Sequence, residues 1–282
     1  MATITTLTLT LNEENNIKKC LASVKGIADK MIVLDGFSKD KTVELARSEG
    51  AEVRQKDCGY FDRFQFGMET IRFDTDWVLF IDADERLTPV SSDELKKLCD
   101  QYADSEVNGI VVNYRVNFMG KELKYGASAL KKLRVFKPGM AFMENVILDQ
   151  HIRLKAGKIA YMKSFLLHED DKGLVIWSQK HIKYAQMAAE DYLSKSRHQE
   201  RVEVDGLEKS AKIKRILKYG VYYRIPSGLR AWCFYFYRYY LRLGFLDGKE
   251  GKIYTFLHAY WYRFLVDAMI ENQKRMEERN NL

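Results

Sequence analysis

Two carboxylates close an apolar run in the first third of this chain. The run Trp77–Ile81 is followed at once by Asp82, and Asp84 stands two residues further on. Converging carboxylates repel each other unless a cation or a proton lies between them. Hard oxygen ligands suit Mg²⁺ or Mn²⁺, which keep waters and share their sites with substrate phosphates. The spacing therefore predicts a divalent-metal site, and a solvated acidic loop is the alternative.

Two further apolar runs end in polar residues. Thr3–Leu11 contains Thr10 near its end, with Glu13 just beyond it, and Met31–Leu34 ends at Asp35. In open α/β sheets, ligands bind beyond the carboxyl ends of the strands. These residues are therefore candidates for ligand contacts. A single acid after a strand is also commonly a helix cap, and that alternative stays open for Asp35.

Several other kinds of chemistry lack their motifs. The chain has no GxxxxGK[ST], no GxGxxG, no HExxH and no Ser/His/Asp set in an elbow context. Its four cysteines stand singly, which is typical of a reducing compartment. We see no secretion signal and no apolar run of membrane-spanning length, so we expect a cytoplasmic protein.

Strand and helix signals alternate over the first part of the chain. This alternation predicts an α/β fold with a mostly parallel sheet and helices on both faces. Met31–Leu34 is continuously apolar, as in a strand buried on both sides. Helices are predicted over Asn12–Val24 and, with Ser92 as its cap, over Asp93–Ala103. Longer strands such as Gly109–Phe118 follow, and then a helix over Trp177–Leu193.

The composition changes near Glu208. Residues 209–263 carry 12 Lys and Arg against two acids and are rich in aromatics, whereas the rest of the chain is slightly acidic. We therefore predict a catalytic domain over residues 1–208 and a helical region over residues 209–282. Leu229–Leu243 places rings on one helical face and arginines on another. The rings are Trp232, Phe236, Tyr239 and Tyr240, and the arginines are Arg230, Arg238 and Arg242.

Three interpretations of this aromatic, basic helix stay open. Rings with interspersed cations suit the headgroup layer of an anionic membrane. The same residue types are enriched at subunit interfaces, which would make the chain a homo-oligomer. Ordinary core packing is the third reading. Basic and aromatic residues also bind RNA, but no RNA-binding motif is present, so no nucleic acid partner is expected.

Three segments resemble the opening of the family 2 glycosyltransferases, inverting enzymes of the GT-A fold. They are TLTLNEENNIKKCLASV, MIVLDGFSKDKTVELARSEGAEV and DWVLFIDADERL. The later segments ENVILDQHIRL and HEDDKGLVIWSQKHIKYA look like a bacterial subgroup associated with surface polysaccharide or lipid-linked glycan assembly. The resemblance implies a GT-A domain followed by a C-terminal helical region.

The resemblance also implies roles for particular residues. Thr10 and Glu13 fall where the first strand meets the nucleotide, and Asp35 where the base, usually uracil, is held. Asp82 would face the ribose, and Asp84 would bind the divalent metal, Mn²⁺ or Mg²⁺. Two weaker assignments have structural alternatives. Gln65 would line the base or sugar-phosphate side, or is a surface glutamine, and His168 would add a late metal contact, or is structural.

An inverting transfer needs a carboxylate that takes the proton of the acceptor hydroxyl. Asp149 fits the family's short acidic motif best, although Gln150 stands where related sequences have an acid. Glu144 is the reserve candidate, and a turn or cap role for Asp149 stays open.

The implied activity is metal-dependent transfer of a sugar from a nucleotide sugar, with UDP as the expected nucleotide, to a glycan or lipid-linked acceptor. We expect the enzyme to lie peripherally at the inner membrane face. The alternatives are a sugar-phosphate nucleotidyltransferase, which would carry a Gly-rich loop where Asn12–Glu13–Glu14 stands, and a non-catalytic membrane or RNA-binding scaffold.

Overall fold

The computed structural model describes residues 1–127, 130–144, 151–198, 213, 216–217 and 220–280. The chain forms two compact units. The first comprises Met1–Asn117, Ala129–Asn145 and Gln150–Lys172, and the second comprises Phe118–Ser128, Val146–Asp149 and Gly173–Leu282. The domain boundary predicted near Glu208 lies outside the described residues.

The strands, in chain order, are β1 (Ile4–Thr10), β2 (Lys30–Asp35), β3 (Glu52–Gln55), β4 (Trp77–Phe80), β5 (Glu85–Arg86), β6 (Val107–Phe118), β7 (Lys121–Leu123), β8 (Leu130–Phe136), β9 (Ala141–Met143), β10 (Ile152–Leu154) and β11 (Lys158–His168). The α-helices are α1 (Ile17–Val24), α2 (Thr42–Ser48), α3 (Tyr60–Thr70), α4 (Pro89–Tyr102), α5 (Gly173–His198), α6 (Leu229–Phe236), α7 (Gly248–Thr255) and α8 (Tyr262–Asn280).

The first unit is built on a mixed sheet with the strand order β3-β2-β1-β4-β8-β6-β11-β5. The strands β3, β2, β1 and β4 run parallel, and β8 is antiparallel to both of its neighbours. Strands β9 and β10 form a separate antiparallel pair. The chain moves from β1 outward to β3 and then returns to the other side of β1 for β4. This reversal creates a crevice at the carboxyl ends of β1 and β4, where α/β folds bind ligands.

Apolar side chains cover both faces of this sheet, as predicted. On one face, Ile4 and Leu79 pack with Cys20 of α1. On the other face, Phe64 of α3 meets Phe80 edge to face, with ring centroids 5.0 Å apart. Neighbouring residues of one strand therefore enter opposite cores, which is why the strands read as continuous apolar runs.

Helix α4 begins earlier than the sequence predicts, and Ser92 is not its cap. The cap is Thr88, whose Oγ1 accepts a hydrogen bond from the Ser91 main-chain N–H at 3.1 Å, while Ser91 Oγ accepts from the Thr88 main-chain N–H at 2.8 Å. Pro89 occupies the first helical turn, where its fixed φ favours the helix and its missing N–H costs nothing. The Thr-Pro pair therefore sets the start of α4.

The part of the second unit that follows Lys172 is helical where it is described. Ala185, Ala189 and Leu193 of α5 pack against Val266 and Ile270 of α8. A π-helical turn, Tyr237–Leu241, extends α6, and a second one, Phe256–Trp261, joins α7 to α8. Among the helices that the structure describes, none combines the length and the apolar content that crossing a membrane requires.

Two of the three arginines predicted to lie on the helical face opposite the rings are buried. Arg230 is 5% exposed, and its Nη2 lies 2.5 Å from Asp267 Oδ1. Arg238 is 4% exposed and donates a hydrogen bond from Nε to the Gly126 carbonyl. The prediction of a cationic face through these two residues is therefore wrong, because each has a partner that is distant in sequence.

One carboxylate holds the short segment after β7. Asp247 is 3% exposed and accepts main-chain hydrogen bonds from Lys124 at 2.8 Å, Tyr125 at 3.0 Å and Gly126 at 2.7 Å. The Gly126 and Gly244 backbones touch here, since a Cβ on Gly126 would lie 2.9 Å from the Gly244 Cα.

Candidate functional site

The carboxyl ends of β1, β2 and β4 lie at one edge of the parallel strands. Thr10 and Asp35, the last residues of β1 and β2, are register partners. Strand β4 runs along the other side of β1, where Leu7 pairs with Phe80, and Asp82 follows shortly after this strand ends. The polar residues predicted at three separate strand ends are therefore brought to the same edge.

The Asp35 carboxylate accepts hydrogen bonds from four protein donors. Oδ1 accepts from Thr10 Oγ1 at 2.8 Å and from Ser38 Oγ at 2.5 Å. Oδ2 accepts from the Ser38 main-chain N–H at 2.8 Å and from Gln55 Nε2 at 3.1 Å. Asp35 does not cap α2, whose N-cap position is Lys41. Burial opposes ionisation, but these hydrogen bonds lower the pKa of Asp35 below its ordinary value, so the carboxylate is charged and fixed in orientation.

Arg63 of α3 lies against the turn that follows Asp35. It is 4% exposed, and its guanidinium donates to the Thr10 carbonyl at 2.9 Å and to the Cys58 carbonyl at 2.6 Å. A Cβ on Gly36 would lie 2.1 Å from Nη2, so glycine is needed here to make room for the guanidinium. Within the described part of the chain, no carboxylate forms an ion pair with Arg63. The guanidinium therefore ties α3 to the end of β1 through main-chain carbonyls rather than through an ion pair.

Asp82 is held by a cation and a phenol. Tyr60 donates its hydroxyl to Oδ1 at 2.6 Å, and Arg134 Nη2 donates to Oδ2 at 2.5 Å. Burial opposes ionisation of Asp82, but the positive charges of Arg134 and Lys132 hold its pKa below the ordinary value. Asp82 is therefore an ionised, neutralised carboxylate at the end of β4.

Glu85 is the second acidic residue that Arg134 contacts. It is fully buried and accepts hydrogen bonds from Tyr114 Oη at 3.0 Å and from Arg134 Nη2 at 3.1 Å. Burial, together with the negative charge of Asp82, raises the pKa of Glu85 in spite of Arg134. One guanidinium thus bridges two carboxylates, which keeps Asp82 charged while Glu85 resists ionisation.

Asp84 and His168, the two predicted metal ligands, are neighbours. His168 Nε2 lies 3.4 Å from Asp84 Oδ2. Burial opposes protonation of the imidazole, but the carboxylate of Asp84 raises the pKa of His168 above its ordinary value. The structure therefore brings together a strand-end carboxylate and a histidine that is more than 80 residues away in sequence.

Asp84 and His168 can supply two of the ligands of a divalent cation. No group of three or more His, Cys, Asp or Glu side chains in the described ranges is arranged to hold a metal ion by itself. Asp84 and His168 nevertheless offer an oxygen and a nitrogen ligand side by side. Mn²⁺ and Mg²⁺ commonly take their remaining ligands from water and substrate phosphates, so these residues suit an ion that binds together with a diphosphate.

The segment that begins at His168 contacts several elements around the strand ends. Arg86 pairs with Glu169 and, at 2.7 Å, with Asp171. Asn16 Nδ2 donates to Asp170 Oδ1 at 3.1 Å, and the Asp171 main-chain N–H donates to Asn16 Oδ1 at 2.9 Å. The segment after β11 is therefore tied to β5 and to the residues just before α1.

Glu13, a predicted nucleotide contact, is ion-paired within this network. Lys172 Nζ lies 2.5 Å from Glu13 Oε1, and Asn16 Nδ2 donates to Oε2 at 2.9 Å. Burial raises the pKa of Glu13, although Lys172 and Asn16 partly offset that effect. The structure therefore gives Glu13 a partner in the segment after β11.

The remaining predicted site residues are Gln65, Glu144 and Asp149, and they differ in burial and in their partners. Gln65 is half-buried, and its Oε1 is buried with no hydrogen-bond partner in the described residues. Glu144 is 6% exposed and pairs with Arg153. Asp149, the predicted base, lies outside the described residues.

The main omission of the sequence analysis is a set of cations. Arg63, Arg134 and Lys172 each contact a strand-end residue or its neighbour, and none was singled out. A signal for two of them was present. Arg63 interrupts an apolar helical pattern, and Arg134 stands between Leu133 and Val135 in an apolar strand. A charged residue inside an apolar pattern is seldom buried unless it has a partner.

The chain matches one family model. The model of glycosyl transferase family 2 matches residues 5–169, a range that contains every predicted site residue. Among curated proteins, an uncharacterized glycosyltransferase of Rickettsia typhi is 32% identical over 149 residues, which are 52% of this chain and 50% of that protein. The glycosyltransferase SunS of Bacillus subtilis is 30% identical over 120 residues, 42% of this chain and 28% of that protein. The chain thus spans half or less of the length of these relatives.

A similarity to a solved structure extends over nearly the whole chain. A mannosyltransferase from Pyrobaculum calidifontis, in complex with GDP-mannose and Mn²⁺, is 14% identical, with a TM-score of 0.56 over 95% of this chain and 87% of that chain. This likeness shows a shared fold. It confirms the predicted fold class, a GT-A-like α/β domain followed by a C-terminal helical region.

Proposed function

The chain belongs to glycosyl transferase family 2, and on that premise we propose that it transfers a sugar from a nucleotide sugar to an acceptor hydroxyl. One observation carries the proposal. The fixed carboxylate of Asp35 and the acidic group of Asp82 and Asp84 lie at the same edge of parallel strands. That edge is where α/β folds bind ligands, and the two groups suit the two ends of a nucleoside diphosphate.

Asp35 is the proposed base contact, as an acceptor for an imide N–H such as that of uracil. Four protein donors already occupy its two oxygens, so an incoming base must replace one of them. Gln55, at 3.1 Å, makes the longest of the four bonds and is the donor that we expect to give way. Thr10 and Ser38 would then keep the carboxylate in place. Gln65 is the further proposed contact, on the base or sugar-phosphate side.

Asp82 is the proposed ribose contact, and Asp84 with His168 would hold a divalent ion, Mn²⁺ or Mg²⁺. When bound, such an ion neutralises charge on the departing diphosphate, an effect typically worth several kcal/mol. The protein's own contribution is to keep these carboxylates ionised and oriented. Arg134 does so for Asp82, and the network around Arg86 positions the segment that contains His168.

We propose Asp149 as the base of an inverting transfer. It would take the proton of the acceptor hydroxyl as that oxygen attacks the sugar, which typically contributes about 10²–10⁴ in rate. Glu144 is the weaker candidate, because its carboxylate is already paired with Arg153. The proposed acceptor is a glycan or a lipid-linked sugar of bacterial surface polysaccharide synthesis, reached from the cytoplasmic side of the membrane. The resemblance of the later segments supports this acceptor class.

The experiment is a thermal-shift panel of UDP and GDP sugars with and without Mn²⁺, followed by analysis of the released product. A ligand present at a hundred times its Kd stabilises the fold by about 2.7 kcal/mol, so a true donor should raise Tm clearly. We expect release of a nucleoside diphosphate and loss of the Mn²⁺ effect in Asp84→Asn. Asp93→Asn, at an exposed site on α4, is the matched control. Release of pyrophosphate, or no stabilisation by any nucleotide sugar, would overturn the proposal.

A further inference from the structure

The second unit exposes a set of large aromatic side chains. Trp232, Phe236 and Tyr240 stand at helical spacing on α6 and its π-helical extension, and they are 54%, 39% and 49% exposed. Phe256 and Phe264, on the helix that runs back from α7 into α8, are also exposed. Ordinary core packing, one of the readings left open by the sequence, does not apply to these rings.

The rings form one continuous surface. In the first row, Trp232 and Phe236 have ring centroids 5.6 Å apart, and Phe236 and Tyr240 4.9 Å apart. In the second row, Tyr260 lies 5.6 Å from Phe256 and 5.9 Å from Phe264.

Two tyrosines join these rows. Tyr239 lies 5.1 Å from Tyr240 and 5.5 Å from Tyr235, which is in turn 6.4 Å from Phe256. We call this set the ring surface. Tyr235, Tyr239 and Tyr260 are half-buried, so they connect the exposed rings beneath the surface. A cluster of large exposed rings of this kind marks an interaction site rather than scattered surface residues.

Exposed cations adjoin the ring surface. Lys249 and Lys252 precede Phe256 at spacings of seven and four residues along one helix, which places all three side chains on the same helical face. Arg242, at the end of the π-helical extension of α6, is also exposed. The ring surface therefore has positive charge along its border.

Acidic side chains do not balance these cations. Residues 229–264 are all described and contain two acids, Asp247 and Glu250. Asp247 is buried and bound to main-chain N–H groups, and Glu250 pairs with Lys121 at 3.5 Å. In this stretch, no exposed carboxylate is left to pair with Arg242, Lys249 or Lys252.

We propose that the ring surface docks on an anionic phospholipid bilayer. Tryptophan and tyrosine rings favour the headgroup layer, and the flanking lysines and arginine are attracted to anionic lipids. A second copy of the chain is a poorer occupant, because a two-fold contact through residues 229–264 would bring the same cations together, and this stretch has no exposed acid to pair with them. The ring surface would then hold the proposed transferase at the membrane where a lipid-linked acceptor lies.

The test is binding of the full chain to vesicles of phosphatidylcholine with about 30% phosphatidylglycerol, with pure phosphatidylcholine vesicles for comparison. Tyr240→Glu is compared with Tyr161→Glu, since both tyrosines are 49% exposed but Tyr161 lies on β11. We expect Tyr240→Glu to weaken binding about tenfold and Tyr161→Glu to leave it unchanged. Raising salt from about 0.05 M to about 0.5 M should also weaken binding.

Vesicle binding is measured without any sugar donor, so this result is independent of the proposed transferase activity. Sedimentation velocity of the same variants tests the competing occupant. The proposal is overturned if the chain stays in the supernatant with anionic vesicles, if Tyr161→Glu weakens binding as much as Tyr240→Glu, or if Tyr240→Glu splits a dimer without changing vesicle binding. Anionic-vesicle binding that is lost selectively in Tyr240→Glu supports it.

Discussion

Nη2 of Arg134 lies 2.5 Å from Oδ2 of Asp82, at the end of the strand that carries the acidic group. The same nitrogen is 3.1 Å from Glu85, so one buried guanidinium contacts both the half-buried carboxylate of Asp82 and the fully buried side chain of Glu85. Removing one partner of a buried ion pair leaves an uncompensated charge, which typically costs about 3–5 kcal/mol. The acidic group therefore depends on this arginine for its stability.

Replacing Arg134 should destabilise the first unit strongly. We expect Arg134→Met to lower the free energy of unfolding by about 3–5 kcal/mol, because Asp82 and Glu85 lose their common cation. Chemical denaturation measures the effect. Arg72→Met is the matched control, since the Arg72 side chain is 91% exposed and should change stability little. Adding Glu85→Gln to Arg134→Met should restore part of the loss, and an unchanged double variant would contradict this account.

A side chain at Gly36 should destabilise the first unit, because it would displace the Arg63 guanidinium. In Gly36→Ala, the new methyl group would meet the Arg63 guanidinium, which is held by the Thr10 and Cys58 carbonyls and has nowhere to move without losing those bonds. We expect a loss of about 1–3 kcal/mol in stability and weaker nucleotide binding. Gly26→Ala is the control, because a Cβ at Gly26 meets nothing within 4 Å. Equal effects of the two variants would show that the contact with Arg63 is unimportant.

Substitution of Asp149 should affect catalysis, whereas substitution of Glu144 should affect stability. We expect Asp149→Asn to lower kcat by about 10²–10⁴ while the Kd of the nucleotide sugar stays unchanged, as for the loss of a general base. Glu144→Gln should act on stability instead, because it removes the charge that pairs with Arg153. Single-turnover kinetics and calorimetric titration distinguish the two. Normal turnover in Asp149→Asn protein would exclude Asp149 as the base.

His258 should make the second unit acid-sensitive. Burial, and then the positive charges of Arg263 and Arg238, hold the pKa of His258 well below its ordinary value of 6.5. Because the pKa of His258 is lower in the folded protein, the histidine of the unfolded chain becomes protonated below about pH 6.5 while that of the folded chain stays neutral. Stability is therefore full above about pH 6.5 and falls as the pH drops, by up to about 1.4 kcal/mol per pH unit.

Unfolding measured by denaturant at several pH values tests this expectation. His258→Phe keeps an aromatic ring next to Tyr254, with which the imidazole stacks at 5.2 Å, and removes the titrating group. Its stability should decline less steeply below pH 6.5 than that of the unsubstituted protein. Parallel declines would mean that other groups cause the acid sensitivity.

The strand ends could be predicted because their signals are local. An apolar run that stops at an acid identifies a strand and its last residue together, and parallel pairing then brings Thr10 next to Asp35. The start of α4 is also marked locally, by Thr88 and Pro89, and the prediction of Ser92 as its cap overlooks that pair.

The partners of the buried charges could not be read in the same way. Arg134 is 52 residues from Asp82 in the chain, and Arg230 is 37 residues from Asp267. A helical pattern shows which side chains share a face but does not show what covers that face. Arg230 and Arg238 were therefore placed on a helical face opposite the rings, although tertiary contacts bury them.

The three main-chain hydrogen bonds to Asp247 make the peptide bond after Lys124 a reporter of local opening. A protease must draw the chain on both sides of a scissile bond into its cleft, and here the Lys124, Tyr125 and Gly126 amides are all engaged by one carboxylate. Trypsin should therefore cut after Lys124 only as fast as the hydrogen bonds to Asp247 break and the segment opens. In Asp247→Asn, where the charge is gone, that cleavage should become rapid.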